Sequence, residues 1–323
     1  MPARRGILRR GFPFFVALVI LGFVFWRVPL GEVVATARLS RLELFVPMMV
    51  AAVGCWFAIE SAAYAYLFSR FNVPVSWREA RALRGVTYLL GLLHYHVGKA
   101  GVVLQLRRAK GVPLLEGTSS LLLYQLVDGL VLASLATVGL AALALWPAAK
   151  AGGTIGIPVW ATAGLAAAPL LGLALLRLDW PRMAWLERLR GRTVLRAQRA
   201  IETRDLLVLA AFKTLFHAVF VGVFYWGPRA FGVEPPLALV LAATPIILIV
   251  GALPITPAGL GTQQAALLFF FMPSEAGGDG SQAAAAILAF GMGFPLVMIA
   301  TRSLLGLYYL RSVSEAQSDR SPR

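Results

Sequence analysis

Apolar runs long enough to cross a bilayer leave this chain very few folds. A hydrocarbon core needs about 20 mostly apolar helical residues. Runs at Phe12–Val28, Leu42–Phe68, Thr118–Trp146, Ile155–Leu176, Leu206–Trp226 and Gln282 to about Leu304 meet or approach that length. Composition agrees: 59% of the 323 residues are hydrophobic and 14% charged, with a mean hydropathy of +0.76. An ordinary soluble domain is about one quarter charged. The expected fold class is all-α, a polytopic integral membrane protein. Its first run follows Arg4, Arg5, Arg9 and Arg10, and Ala35-Thr36-Ala37 imitates a cleavage site but lies well past the run. That run is therefore read as an uncleaved span. A single cysteine, Cys55, excludes an intramolecular disulfide and a multi-cysteine metal cluster.

Two further apolar segments do not read as full spans. Leu83–Leu106 is interrupted by His94, His96, Gly98, Lys99 and Gly101, and Leu237–Met272 is broken by Leu253-Pro254-Ile255-Thr256-Pro257-Ala258-Gly259-Leu260-Gly261. Proline removes a backbone donor and glycine weakens a helix, so both segments are expected to break at these residues. Irregular backbone at membrane depth survives only against protein or a water-filled cavity. Both segments are accordingly read as re-entrant hairpins, about 83–106 and about 237–272.

Charge supports that topology. The net charge of +15 comes from 30 Lys+Arg against 15 Asp+Glu. Six spans and two hairpins place the basic linkers 1–11, 69–85, 107–117 and 177–204, and the tail from Arg302, on one side. By the positive-inside rule that side is the cytoplasm. Only Lys99 and Lys213 against Glu60 and Asp128 are then left inside the membrane. The expected location is a bacterial cytoplasmic membrane, with both termini cytoplasmic. The 177–204 linker carries eight arginines, and Trp180, Met183, Trp185, Leu186 and Leu189 suit an interfacial helix on an anionic leaflet. Orientation and leaflet binding account for the basic charge, and no nucleic-acid partner is expected. Residues 1–146 and 147–312 form two halves of opposite orientation, the pattern of an inverted repeat in which broken helices meet at a central binding site. Residues 313–323 read as a disordered cytoplasmic tail.

The candidate site residues are the polar groups within or beside the breaks. An intramembrane carboxylate normally faces a cavity or a partner, which singles out Asp128, either for function or for a contact with Lys99, Lys213 or a hairpin amide. Glu60 is a secondary candidate for the cavity, or packs against a neighbouring helix. Lys99, between Gly98 and Gly101, would suit a phosphate at a helix start, or would pair with Asp128. Gln105 lies six residues on. His94 and His96 point to different helix faces and lack companion ligands, so no metal or other cofactor is expected and a hydrogen-bonding role is preferred. After Pro257, residues Gly259, Gly261, Gln263 and Gln264 restart a helix, and the same break could aim its N-terminal donors at an anionic headgroup. Lys213 and His217 share a helix face at i, i+4.

Two stretches carry a family resemblance. One is Gly91-Leu-Leu-His-Tyr-His-Val-Gly98-Lys-Ala-Gly101, followed by Arg107-Arg108-Ala-Lys110-Gly111-Val112-Pro113 and a span with Asp128. The other, more specific, is Leu253-Pro254-Ile-Thr-Pro257-Ala-Gly259-Leu-Gly261. Over roughly residues 12–312 the chain resembles the membrane region of bacterial lysylphosphatidylglycerol synthase/flippase proteins and their stand-alone relatives. The resemblance implies a flippase-like protein without the synthase domain, and no enzymatic activity. The family pattern P-G-x-A-G-E-x-x-R has Val102 for its acid and Gln105 for its arginine here, with His94 or His96 where an Asn would stand. In E-R-x-x-D only Asp128 is kept, with Tyr124 and Gln125 in the other places, and a final Glu is Gln264. These neutralised positions weigh against a lysyl-lipid or other charged headgroup.

Three functions are compatible with these residues. The first is translocation of a phospholipid or lipid-linked precursor, ion-coupled or downhill, since no nucleotide-binding G-x-x-x-x-G-K-[ST] occurs. The second is a non-transporting partner or regulator of a cell-envelope lipid or glycan enzyme. The third, a polyprenyl-phosphate transferase, is disfavoured because clustered acids for Mg²⁺ are missing. The lipid and the oligomeric state are not encoded in any motif.

Overall fold

The computed structural model describes residues 22, 26, 28, 30–93, 95–145, 159–177, 193–252, 261–272 and 280–318. Every regular element among them is helical. In chain order these are α1 (Leu30–Leu39), α2 (Leu42–Phe71), α3 (Trp77–Leu93), α4 (Tyr95–Lys110), α5 (Leu114–Leu145) and α6 (Val159–Arg177). A 3₁₀ turn and α7 (Arg196–Ala200) lead to α8 (Thr203–Trp226), a second 3₁₀ turn (Pro228–Phe231), α9 (Leu237–Ala252), α10 (Thr262–Phe271) and α11 (Gly280–Ser318).

Four helical stretches are long and apolar enough to cross a membrane: Leu42–Phe71, Leu114–Leu145, Thr203–Phe231 and Gly280–Arg311. They coincide with four of the six expected spans. The fifth is represented by α6, whose apolar stretch Thr162–Ala174 is shorter. The first expected span falls almost wholly outside the described residues, as do Trp180–Leu189 of the arginine-rich linker. Prolines 47, 245 and 295 lie inside α2, α9 and α11. Membrane helices tolerate such residues because neighbouring groups satisfy the freed carbonyl. Helix α1 was not foreshadowed by the hydropathy pattern, and α11 continues to Ser318, into the stretch expected to be a disordered tail.

The chain gathers into two compact units that cut across the sequence halves 1–146 and 147–312. The first comprises Met1–Ala51, Leu135–Thr162 and Phe220–Met298, and the second Ala52–Ser134, Ala163–Val219 and Ile299–Arg323. Helices α2, α5, α6, α8 and α11 contribute to both. By contrast, α3 and α4 lie wholly in the second unit, and α9 and α10 wholly in the first.

The first unit is cored by phenylalanines. Phe290 meets Phe45, Phe224 and Phe231 edge-on, with centroids 6.0, 5.8 and 6.1 Å apart. This arrangement places the positive ring edge on a neighbour's negative face. Helices α5 and α9 approach at Gly139 so closely that a Cβ there would lie 2.5 Å from Ala242 Cα and 2.6 Å from Ala242 N. Close backbone contact through small residues is how membrane helices associate without a hydrophobic driving force. Gly139→Ala should therefore destabilise the protein by about 1–3 kcal/mol, read as a lower melting temperature in detergent. Gly129→Ala, where nothing lies within 4 Å, is the control and should not lower it.

The first broken segment, in the second unit, corrects the sequence expectation. Gly98, Lys99 and Gly101 do not interrupt a helix; all three lie within α4, which begins at Tyr95 after α3 ends at Leu93. A Cβ on Gly98 would meet Gly91 Cα at 2.7 Å, and one on Gly101 would meet Leu90 Cδ1 at 2.6 Å. At the other end Lys110 Nζ contacts Glu79 Oε1 at 2.6 Å. Residue pairs 91/98, 90/101 and 79/110 thus run in opposite senses, and α3 and α4 form an antiparallel helical hairpin. The glycines are there for backbone proximity rather than for breaking. Ser76 and Glu79 cap α3 reciprocally, with the Ser76 N–H donating to Glu79 Oε2 at 2.8 Å and the Glu79 N–H to Ser76 Oγ at 3.3 Å. The Lys110 ammonium, then the Ser76 amide, hold the Glu79 carboxyl at about 2, below its ordinary 4.5. The contact is complete above pH 4.5 and is lost as the pH falls towards 2.

Candidate functional site

Two carboxylates organise the polar interior of the second unit. Glu60 sits midway along α2 and is 3% exposed. Arg84 of α3 clasps its Oε2, from Nη2 at 2.6 Å and from Nε at 2.7 Å. Its Oε1 accepts from Tyr64 Oη at 3.3 Å and Lys99 Nζ at 3.4 Å. Asp128 of α5 presents Oδ1 to Lys213 Nζ at 3.0 Å and to His217 Nε2 at 2.9 Å, both from α8. The i, i+4 spacing read from the sequence is what lets these two side chains converge on one oxygen. Lys213 is 1% exposed, so its charge is compensated only by groups within the protein.

Aromatic rings link the two carboxylate centres. The Tyr124 ring lies 3.8 Å from Lys213 Nζ and 5.4 Å from Lys99 Nζ, and packs on Tyr64 at 5.5 Å. A cation over an aromatic face gains most when desolvated, about 2 kcal/mol. The one ring thus meets both lysines. Tyr88 of α3 takes the Arg84 guanidinium at 4.2 Å and that of Arg302, from α11, at 5.3 Å. Trp56 fixes α2 against α8 through its indole N–H, which donates to Phe216 O at 3.1 Å.

Of the residues proposed from sequence, the structure brings together Glu60, Lys99, Asp128, Lys213 and His217. Lys99 pairs with Glu60, whereas Asp128 takes Lys213 and His217. Arg84 is the participant that sequence reasoning missed. It was counted with the cytoplasmic linker 69–85, but its side chain is only 11% exposed. A signal existed: Trp77, Arg81, Arg84 and Tyr88 recur at i, i+4, i+7 and i+11, and Arg81 indeed stacks on Trp77 at 4.1 Å. Gln105 is half-buried on α4 and Val102 fully buried. Gln125 and Lys99 line a cleft of about 420 Å³ between α4 and α5.

His94, Pro257 and Gly259 lie outside the described residues, and of His96 only its place in α4 is described. Gly261, Gln263 and Gln264 belong to the first unit. Gly261 adopts φ +89°, a conformation glycine accepts without strain. Its N–H donates to Gln264 Oε1 at 2.7 Å, and Gln264 Nε2 donates to Gly291 O at 3.0 Å. The Gln264 amide therefore caps α10 and ties it to α11. A glutamate could accept the first bond but not donate the second, which explains the amide. Gln263 packs beside Gly251 of α9. A larger cleft in this unit, about 890 Å³, is lined by Glu32, Thr36, Glu234, Ser281 and Gln282 among others, none of them foreseen as site residues. Among the described residues no three His, Cys, Asp or Glu side chains gather to hold a metal ion.

Membrane-length helices, a short antiparallel helical hairpin and charges buried between helices define a multi-pass integral membrane protein with a polar interior. Residues 12–300 match the family model described as the lysylphosphatidylglycerol synthase TM region, and the chain belongs to that family. No curated protein matches the chain.

Proposed function

We propose that this protein is a flippase-like transporter that moves a phospholipid or lipid-linked precursor across a bacterial cytoplasmic membrane, with both of its termini in the cytoplasm. The observation that carries this reading is the cluster of Glu60, Arg84, Lys99, Asp128, Lys213 and His217 held among apolar helices. Charges at membrane depth are costly, and they mark pathways for polar groups. At 17 and 16 residues, α3 and α4 are each about 25 Å long, short of the roughly 30 Å hydrocarbon core. An antiparallel pair of that length enters the membrane and returns, as re-entrant segments of transporters do. The second apolar segment, Leu237–Met272, is read in the same way. The protein acts on lipid position and not on covalent bonds. Reconstituted into vesicles with fluorescent lipids, it should speed the dithionite bleaching of inner-leaflet label. Absence of any acceleration across a broad headgroup panel would sink the proposal.

A second reading has one observation in its favour. Glu60 and Asp128 each have a basic partner within the chain, as a purely structural core would require. In that case the protein is a partner or regulator of an envelope lipid or glycan enzyme. Stoichiometric co-purification of such an enzyme, with no lipid movement, would favour it.

A further inference from the structure

His217 and Lys213 share one oxygen. The imidazole Nε2 lies 2.9 Å and the ammonium Nζ 3.0 Å from Oδ1 of Asp128, and the two side chains rise from successive turns of α8. They are 4% and 1% exposed, so little water screens either. An ionised carboxylate only accepts hydrogen bonds. A neutral His217 therefore carries its hydrogen on Nε2, and an added proton goes to Nδ1. In the neutral form the charges of Asp128 and Lys213 cancel. After protonation two cations compete for the same acceptor. Nitrogens bonded to one oxygen are no more than about 6 Å apart, and like charges at that separation repel strongly at low dielectric. The shared oxygen suits an ammonium with a neutral ring, and does not suit an ammonium with an imidazolium.

The surrounding ionisable groups come from several helices. Glu60 of α2 acts on Lys213, and Lys99 of α4 on Asp128, through their charges. Glu60 is itself clasped by Arg84 of α3. Tyr124 of α5 sets its ring 3.8 Å from Lys213 Nζ. Asp205, also on α8, is taken by Tyr66 and Arg70 and lies more than three turns, about 18 Å, from His217. Of these residue types only histidine ordinarily changes charge near neutral pH. Chains of buried acids and histidines at membrane depth serve pumps and transporters as proton relays. We infer that His217 is a reversible proton site: while its ring is neutral Lys213 stays on Asp128, and when Nδ1 takes a proton the imidazolium keeps the carboxylate and Lys213 is displaced. The proton comes from water and returns to it, and only an N–H bond is made and broken. The inference rests on the transport reading in taking this proton as the coupling ion. Displacement of Lys213 removes one of two ties between α5 and α8, and a proton that favours the looser state shifts the population towards it.

Two measurements test it. In the full chain carrying His94→Gln and His96→Gln, His217 is the one histidine left, and its ring nitrogens can be followed by NMR in micelles. From about pH 8 to 5, the interval in which histidine changes charge, the ring should pass reversibly from the Nε2–H form to the doubly protonated one. A ring that keeps a single form throughout overturns the inference. The second measurement uses vesicles holding the protein in one orientation, fluorescent phosphatidylethanolamine and an imposed pH gradient. With one proton per lipid, a gradient of about one pH unit should skew the label between leaflets by up to about tenfold, and reversing the gradient should reverse the skew. His217→Gln donates to Asp128 as the neutral ring does but takes no proton, so its distribution should stay even. Lys213→Met removes the competing cation and should be equally indifferent. If the NMR variant does not fold, the wild type in vesicles decides. Lipid movement there that ignores the gradient, or a folded His217→Gln or Lys213→Met protein that still follows it, overturns the inference and leaves the transport reading standing. A ring that exchanges its proton in a protein that moves no lipid upholds the site and removes the transport reading.

Discussion

Asp128→Asn should be among the most destabilising single substitutions in the chain, costing about 3–5 kcal/mol. The change is nearly isosteric, so the loss is electrostatic. Lys213, 1% exposed, keeps the Tyr124 and Phe216 rings and the more distant charge of Glu60, but no carboxylate in contact with its ammonium among the described residues. Removing one partner of a buried pair is worse than removing both, because the remaining ion has no compensation and no water. The double variant Asp128→Asn, Lys213→Met should therefore recover most of the stability lost by the single one. Lys213→Met alone should cost less than Asp128→Asn, since Asp128 retains His217 at 2.9 Å. Denaturant unfolding in micelles reads all three. Equal stability of Asp128→Asn and wild type would show that water or another group reaches Lys213 and that the pair is not sealed.

Glu60→Gln should be of similar size, again about 3–5 kcal/mol, for a different reason. Two cations, Arg84 and Lys99, converge on this one carboxylate from α3 and α4. Their neutralised partner would leave them facing each other at low dielectric, where like charges repel strongly. Arg84→Met leaves Glu60 with Lys99, which has room to close from 3.4 Å, so its cost should be distinctly smaller. The expected order of melting temperatures is wild type, then Arg84→Met, then Glu60→Gln. A reversed order would mean that Arg84, not Glu60, organises the hairpin's attachment to α2.

Length and hydropathy made the long helices legible, because a run of apolar residues in lipid has few alternatives to a helix. That Leu83–Leu106 would not form one continuous helix was legible from its polar interruptions, since α3 ends at Leu93 and α4 begins at Tyr95. The role of Gly98 and Gly101 was not. Glycine weakens a helix and also lets two helices touch, and a single sequence cannot say which of these effects prevails without the partner helix. Asp128 and Glu60 stood out as costly residues in apolar runs, yet their partners lie 89 and 24 residues away, in His217 and Arg84. Arg84 was hidden by its surroundings, one arginine in a basic stretch with Arg70, Arg78 and Arg81, of which Arg78 is exposed. Gln264 shows the opposite limitation. It was read with its neighbours as part of a helix restart, and only the positions of Gly261 and Gly291 reveal its amide as a helix cap and cross-tie.

The spacing of these partners along the chain also sets a schedule for synthesis. Arg84 emerges from the ribosome 24 residues after Glu60, but His217 follows Asp128 by 89. At about 5–20 residues per second, the Asp128 carboxylate waits roughly 4–18 s for α8. A lone aspartate at mid-bilayer costs about 2.5–3.5 kcal/mol on insertion scales, so the leucines and valines of α5 must hold that helix in the membrane by themselves during the interval. The newborn chain is thus most vulnerable to membrane proteases and insertion errors between the emergence of α5 and that of α8.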